Sequence, residues 1–166
     1  MFKKLALLLC VLTTLLSATA LPASAAQAPN PKPAPVLDHC SISVLGQRPT
    51  GELVTSAPRC FATDAAVQQQ ASAALQNVLA IHYKGTNYTG ASLSVTGDSC
   101  IGGWVNFQGS LASWRYAVVS TRNVFCAVTR HWTGFNATGA VNVHYWWETN
   151  LTSLIGSVSS VSYHNS

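Results

Sequence analysis

Hydrophobic positions along this chain fall into segments of distinct spacing, and each spacing predicts a different fate. Leu5 to Leu16 is an apolar run broken only by Thr13 and Thr14, behind Lys3 and Lys4 and ahead of small residues. Basic, hydrophobic and small-residue regions in that order read as a secretory signal peptide over 1–25, cut after Ala23-Ser24-Ala25. A membrane anchor needs roughly 18 to 20 apolar residues, and Ser17 and Pro22 end this run too soon. From 26 to 36 proline recurs at nearly every second position, which predicts an extended leader with few ladder donors.

The next stretch, 37–79, reads as a hairpin followed by a helix. Ile42 and Val44, then Leu53 and Val54, flank the turn-like Gly46-Gln47-Arg48-Pro49-Thr50-Gly51. Beyond it Asp64 is placed to cap a helix in which Val67, Ala71, Ala74, Leu75 and Val78 recur at helical intervals. From Ala80 onward the helical period is gone. Short runs rich in Val, Ile, Tyr, Trp and Thr, punctuated by Gly and Asn, predict antiparallel strands.

Within 80–166 the chain repeats itself. His82-Tyr83-Lys84-Gly85-Thr86-Asn87-Tyr88-Thr89-Gly90-Ala91 aligns with His131-Trp132-Thr133-Gly134-Phe135-Asn136-Ala137-Thr138-Gly139-Ala140, seven of ten positions agreeing when Tyr83 and Trp132 count together as aromatic. Further on, Gly109-Ser110-Leu111-Ala112-Ser113-Trp114 lines up with Gly156-Ser157-Val158-Ser159-Ser160-Val161. Two copies, about 80–122 and 123–166, are too few for a solenoid and suit a two-fold β arrangement.

These residues resemble the βγ-crystallin superfamily, in particular its secreted bacterial members, which include metalloproteinase inhibitors and killer-toxin-like proteins. The resemblance implies a mainly β protein with a double Greek-key sandwich, here preceded by the short hairpin and one helix. It also implies structural roles in the two motifs: Tyr83 and Trp132 as the opening aromatics, Gly90 and Gly139 as hairpin glycines with a backbone closed to residues bearing a Cβ, and Ser113 and Ser160 in the closing turns. The calcium phrase of that family falls on Gln108–Ser113 and Ile155–Ser160. Both have lost the acidic or amide pair, leaving at most weak calcium binding and no other cofactor.

Composition narrows the function. With the signal and Cys10 removed, Cys40, Cys60, Cys100 and Cys126 remain for an oxidising compartment, so two disulfides are expected. Four cysteines allow three pairings; short loops favour Cys40 with Cys60 and Cys100 with Cys126. The seven remaining Lys and Arg are scattered among Asp38, Glu52, Asp64, Asp98 and Glu148, which excludes a nucleic-acid footprint. His39, His82, His131, His144 and His164 carry no zinc-protease spacing; His82 and His131, at equivalent repeat positions, read as one structural niche filled twice, a metal site built from them across the two halves being the alternative. No Gly-x-Ser-x-Gly phrase is present, and Asp98 with Glu148 is the only acid pair worth weighing for glycoside hydrolysis. Of the adjacent Trp146 and Trp147, a strand would turn one to solvent as a candidate carbohydrate or protein contact, the other reading being that neighbouring loops or the helix cover both. The glycosylation-like phrases at Asn87, Asn136 and Asn150 are accounted for by turns. The expectation is a secreted, extracellular, monomeric, non-enzymatic binding protein whose partner is an extracellular protein, concretely a secreted protease. A killer-toxin-like antimicrobial protein and an envelope or stress module are the alternatives.

Overall fold

The computed structural model describes residues 34–146, 148–151 and 153–165. The signal peptide, Cys10, most of the proline-rich leader and Trp147 lie outside them. Ten strands and one α-helix follow in order: β1 (His39–Gln47), β2 (Leu53–Thr55), β3 (Arg59–Phe61), α1 (Asp64–Ala73), β4 (Asn77–Tyr83), β5 (Ser92–Gly97), β6 (Ile101–Asn106), β7 (Ser120–Asn123), β8 (Val128–Trp132), β9 (Val141–Tyr145) and β10 (Ser160–His164). The protein is mainly β. Its strands form a sheet ordered β2-β1-β5-β4-β7, with β3 also on β1, and a four-stranded sheet ordered β6-β10-β8-β9.

Alternation within the strands decides what lies between the sheets. On β5, Leu93 and Val95 enter the core while Ser92, Ser94 and Thr96 face the other way. Leu93 and Val95 share one buried cluster with Ile42 of β1 and with Val105, Val161 and Tyr163 of the second sheet, so the two sheets pack face to face. The outward hydroxyls meet α1, which explains a helix with so little apolar surface. Ser92 Oγ donates to Asp64, Ser41 Oγ donates to Gln70 Oε1, and Thr96 Oγ1 donates to Gln76 Oε1 just past the helix end. Only Val67 and Ala71 of the helix are buried.

Each half of the repeat lends part of itself to the other half's sheet. β4, β5 and β7 of the first half pair together, whereas its β6 joins β10 of the second half. Reciprocally Asn150, between β9 and β10, bridges Ser120 of β7. The N-terminal segment is part of the same body. β1 lies parallel to β5, and the turn after it reaches the second sheet, where Trp104 N donates to the Gly51 carbonyl. The expected boundary between 79 and 80 therefore falls inside β4, and residues 34–166 form one compact unit.

The disulfides are Cys40–Cys60, directly opposite each other on β1 and β3, and Cys100–Cys126, which ties the β5–β6 corner to the β7–β8 link. Among the described residues no helix is long and apolar enough to cross a membrane.

The helix departs from its sequence reading at both ends. Thr63, not Asp64, is the N-cap, its Oγ1 accepting from Ala66 N, which frees the Asp64 carboxylate for Ser92 and His39. At the other end Gln76 N donates to the Ala71 carbonyl and Leu75 N to that of Ser72, a Schellman closure. Leu75 thus takes the left-handed position, φ 55°, where glycine is usual, and leaves the helical face altogether with 92% of its surface exposed. Since nothing is buried at Leu75 and a left-handed non-glycine residue costs roughly 1–2 kcal/mol, Leu75→Gly is expected to raise stability by about 1 kcal/mol, measured by urea unfolding.

Candidate functional site

Two matched hairpin clamps carry the repeated part of the sequence. Residues 84–91 and 133–140 fold back with the same bonds: Gly85 N to the Thr89 carbonyl and Gly134 N to that of Thr138, both 2.9 Å. A Cβ on Gly85 or Gly134 would come within 2.4 or 2.5 Å of the threonine hydroxyl, so both positions need glycine. Asn87, Tyr88 and Gly90 have positive φ, as do Asn136, Ala137 and Gly139.

Partners distant in sequence hold these turns. Ser120 Oγ donates to the Gly85 carbonyl (2.6 Å) and accepts from Tyr88 N; Ser160 Oγ donates to the Gly134 carbonyl (2.7 Å) and accepts from Ala137 N. Asn150 accepts from Asn87 N and donates to the Asn87 side-chain oxygen, while Asn106 does the same for Asn136. Glu52 joins the second clamp alone, accepting from Asn106 Nδ2 at 3.0 Å. The side-chain oxygens of Asn87 and Asn136 and both polar atoms of the Asn150 side chain are thereby committed within the fold.

The motif residues expected from the sequence divide on this geometry. The Tyr83 and Trp132 carbonyls accept from Val119 N and Ser159 N, one residue before each clamp serine, so the two aromatics occupy corresponding places. Gly90 and Gly139 hold φ of 76° and 84°. Ser160 is a clamp serine, but its counterpart is Ser120. Ser113 instead sits exposed on a 3-10 turn, Gly109–Trp114, so the alignment of 109–114 with 156–161 does not follow the hydrogen bonds. The second calcium phrase offers the buried, unpartnered Ser159 Oγ behind Ile155 and Gly156, without a carboxylate, a set that does not suit a calcium ion.

His82, His131 and His144 do come together, between the sheets. Thr121 Oγ1 bridges His82 Nδ1 (3.0 Å) and His131 Nε2 (2.9 Å), His82 Nε2 meets the Tyr163 hydroxyl at 3.0 Å, and His144 Nε2 donates to the Thr121 carbonyl at 2.8 Å. Ring centroids lie 5.5 Å apart for His82 and His131 and 5.8 Å for His131 and His144, in edge-to-face arrangement. All three are buried. Desolvation, aided by the neighbouring imidazole His144, lowers His82 to about 3, and desolvation with both neighbouring rings holds His131 well below the usual histidine range. His144 is also lowered by burial, against the opposing pull of the Thr121 carbonyl and of Glu148, whose Oε2 lies 3.7 Å from Nδ1. The cluster is a neutral hydroxyl–imidazole network, with both His82 nitrogens already engaged.

A Ser–His–Asp trio was missed by sequence reasoning because its members are spread over three elements. His39 Nδ1 lies 2.9 Å from Asp64 Oδ1 and 3.0 Å from Ser92 Oγ. Serine and aspartate thus share one ring nitrogen, Ser92 donates to the carboxylate, and Ser92 is buried, an arrangement unlike a nucleophile activated by the opposite nitrogen. Asp98 borders a small cleft beside Val44 and Ile101, whereas Glu148 folds back to accept from Tyr145 N, so no interaction joins these two acids.

On the surface, Arg115 is held between two rings, 4.4 Å from the Tyr116 centroid and 4.6 Å from that of Phe135, and also donates to the Tyr116 hydroxyl. Tyr116, at φ 62°, is pinned by its N–H to the Val158 carbonyl, 2.8 Å. Exposed Ile155 lies in the segment that ends at this contact. Trp146, on the turn that follows β9, is also exposed. No protein-family model, curated protein or solved structure matches this chain.

Two outcomes are expected. Ser120→Ala and Ser160→Ala each leave a carbonyl and an N–H without their clamp, so each should cost about 1–3 kcal/mol, while Ser113→Ala changes stability by less than about 0.5 kcal/mol, all read from denaturant midpoints. The histidine core sets the acid limit. Unfolded histidines near 6.5 bind protons that the folded rings refuse, so stability is full above that pH and declines as pH falls towards about 3. The slope reaches about 1.4 kcal/mol per pH unit for each ring that stays neutral. Tryptophan fluorescence against pH should show acid unfolding in this window, and His82→Gln should flatten the slope.

Proposed function

We propose that the chain is a secreted, non-enzymatic protein of βγ-crystallin-like build that acts by presenting a rigid surface to another extracellular protein, a secreted peptidase being the concrete case. Matched hairpin clamps and the exchange of β6 and Asn150 between the sheets support the double Greek-key reading. Two disulfides support an oxidising, extracellular setting.

The observation that carries the binding role is Arg115 stacked between Tyr116 and Phe135. Arginine and tyrosine dominate the energetics of protein interfaces when they are ordered beforehand. Here two ring contacts, each worth roughly 0.5–1 kcal/mol at an exposed site, and a pinned backbone remove most of the ordering cost of association.

Titration against a panel of secreted metallo- and serine peptidases tests the reading. At least one enzyme should be inhibited at 1:1 stoichiometry, and Arg115→Ala should weaken that inhibition at least tenfold while lowering the melting temperature only by the few degrees that its lost ring contacts account for. Inactivity across the panel removes the peptidase reading.

A further inference from the structure

A cleft of about 300 Å³ lies between α1 and the outer face of β4 and β7, away from the Arg115 surface. Strand pairing places Ile81 opposite Arg122, both on the face that turns away from the histidine core. Val78 and the buried Ile81 form the apolar part of the floor, Gln68 and Ser72 of α1 add amide and hydroxyl groups, and Asn77 adds a second amide at the start of β4. Arg122 stands on the opposite wall, exposed, and among the described residues no carboxylate lies within 4 Å of its guanidinium.

Exposed apolar residues neighbour the cleft's lining residues along the chain. Leu75 sits one residue before the lining Gln76, and Phe125 follows the lining Val124; all but Gln76 are large hydrophobics left in water. The rim is held in place, since Val124 N donates to the Leu79 carbonyl, Phe125 N to that of Val78, and Cys126 is disulfide-bonded. Leu75 is the telling residue. The helix closure there would be better served by glycine, and the leucine side chain gains no burial within the fold. A residue that costs stability and exposes apolar surface is accounted for when it contacts something outside the chain.

We propose that this cleft docks a protein segment that brings an Asp or Glu carboxylate to Arg122 and seats an aliphatic or aromatic side chain over Val78 and Ile81, with Leu75 and Phe125 against its flanks. The choice of an acidic partner rests on charge complementarity: a lone guanidinium beside an apolar floor recognises a carboxylate and a neighbouring hydrophobic group together. This surface is separate from Arg115, and neither reading depends on the other.

Selection of a phage-displayed random heptapeptide library on the purified secreted protein tests it. Enriched peptides should combine Asp or Glu with Leu, Ile, Val or Phe. Synthetic copies should bind at least tenfold more weakly to Arg122→Gln and to Leu75→Gly, and as well as before to Arg115→Ala. Because Leu75→Gly should be the more stable protein, its loss of binding would not reflect misfolding. The proposal is overturned if no sequence is enriched, if the enriched sequences lack an acid, or if they bind both variants as tightly as the parent or depend on Arg115.

Discussion

The interaction on which this structure depends is the serine hydroxyl that pins each fold-back hairpin. Tyr88 and Ala137 hold left-handed backbone, which disfavours a hairpin left to itself by roughly 1–2 kcal/mol for each, and Asn87 and Asn136 hold it at smaller cost. Ser120 and Ser160 offset that cost by serving a carbonyl and an N–H at once, from strands lying far along the chain. The asparagine that completes each clamp belongs to the other half: Asn150 secures the first hairpin and Asn106 the second. Neither half has a finished hairpin without its neighbour, so the repeat is folded as a pair.

The N-terminal segment enters by the same logic of meeting polar groups across elements. β1 extends the first sheet along β5, its following turn reaches Trp104, and Glu52 closes on the Asn106–Asn136 pair. Packing reinforces the contact, since a Cβ at Gly51 would strike the Trp104 ring at 2.4 Å. Helix α1 attaches through hydroxyl-to-amide and hydroxyl-to-carboxylate bonds more than through apolar area, and this leaves part of the outer sheet uncovered beside Arg122. The cleft is a consequence of how little apolar surface the helix brings.

Between the sheets, imidazoles do what aliphatic side chains do elsewhere, and they constrain the molecule in return. Thr121, Tyr163 and the three histidines fix one another's orientation, so the sheets have one favoured register, and protonation of any ring weakens the seam. Rigidity of this kind, with two disulfides, suits a protein whose exposed groups recognise a partner without rearranging.

Much of the architecture was legible in local patterning. The β1–β2 hairpin, the single helix, the strand-rich remainder, both cysteine pairings and the equivalence of His82 with His131 follow from alternation, short loop closure and a repeated phrase, all properties of neighbouring residues. Ser113 was not legible as the wrong partner for Ser160, because the first half carries nine more residues between its hairpin and its last strand, and turn-forming serines look alike wherever they stand. Leu75 fitted the helical period, yet backbone closure at Ala71 and Ser72 ended the helix before it. Which hydroxyl meets which carbonyl and where three histidines converge are decided by contacts between residues tens of positions apart. Sequence spacing carries no measure of those distances; only the packed sheets bring the partners within hydrogen-bonding reach.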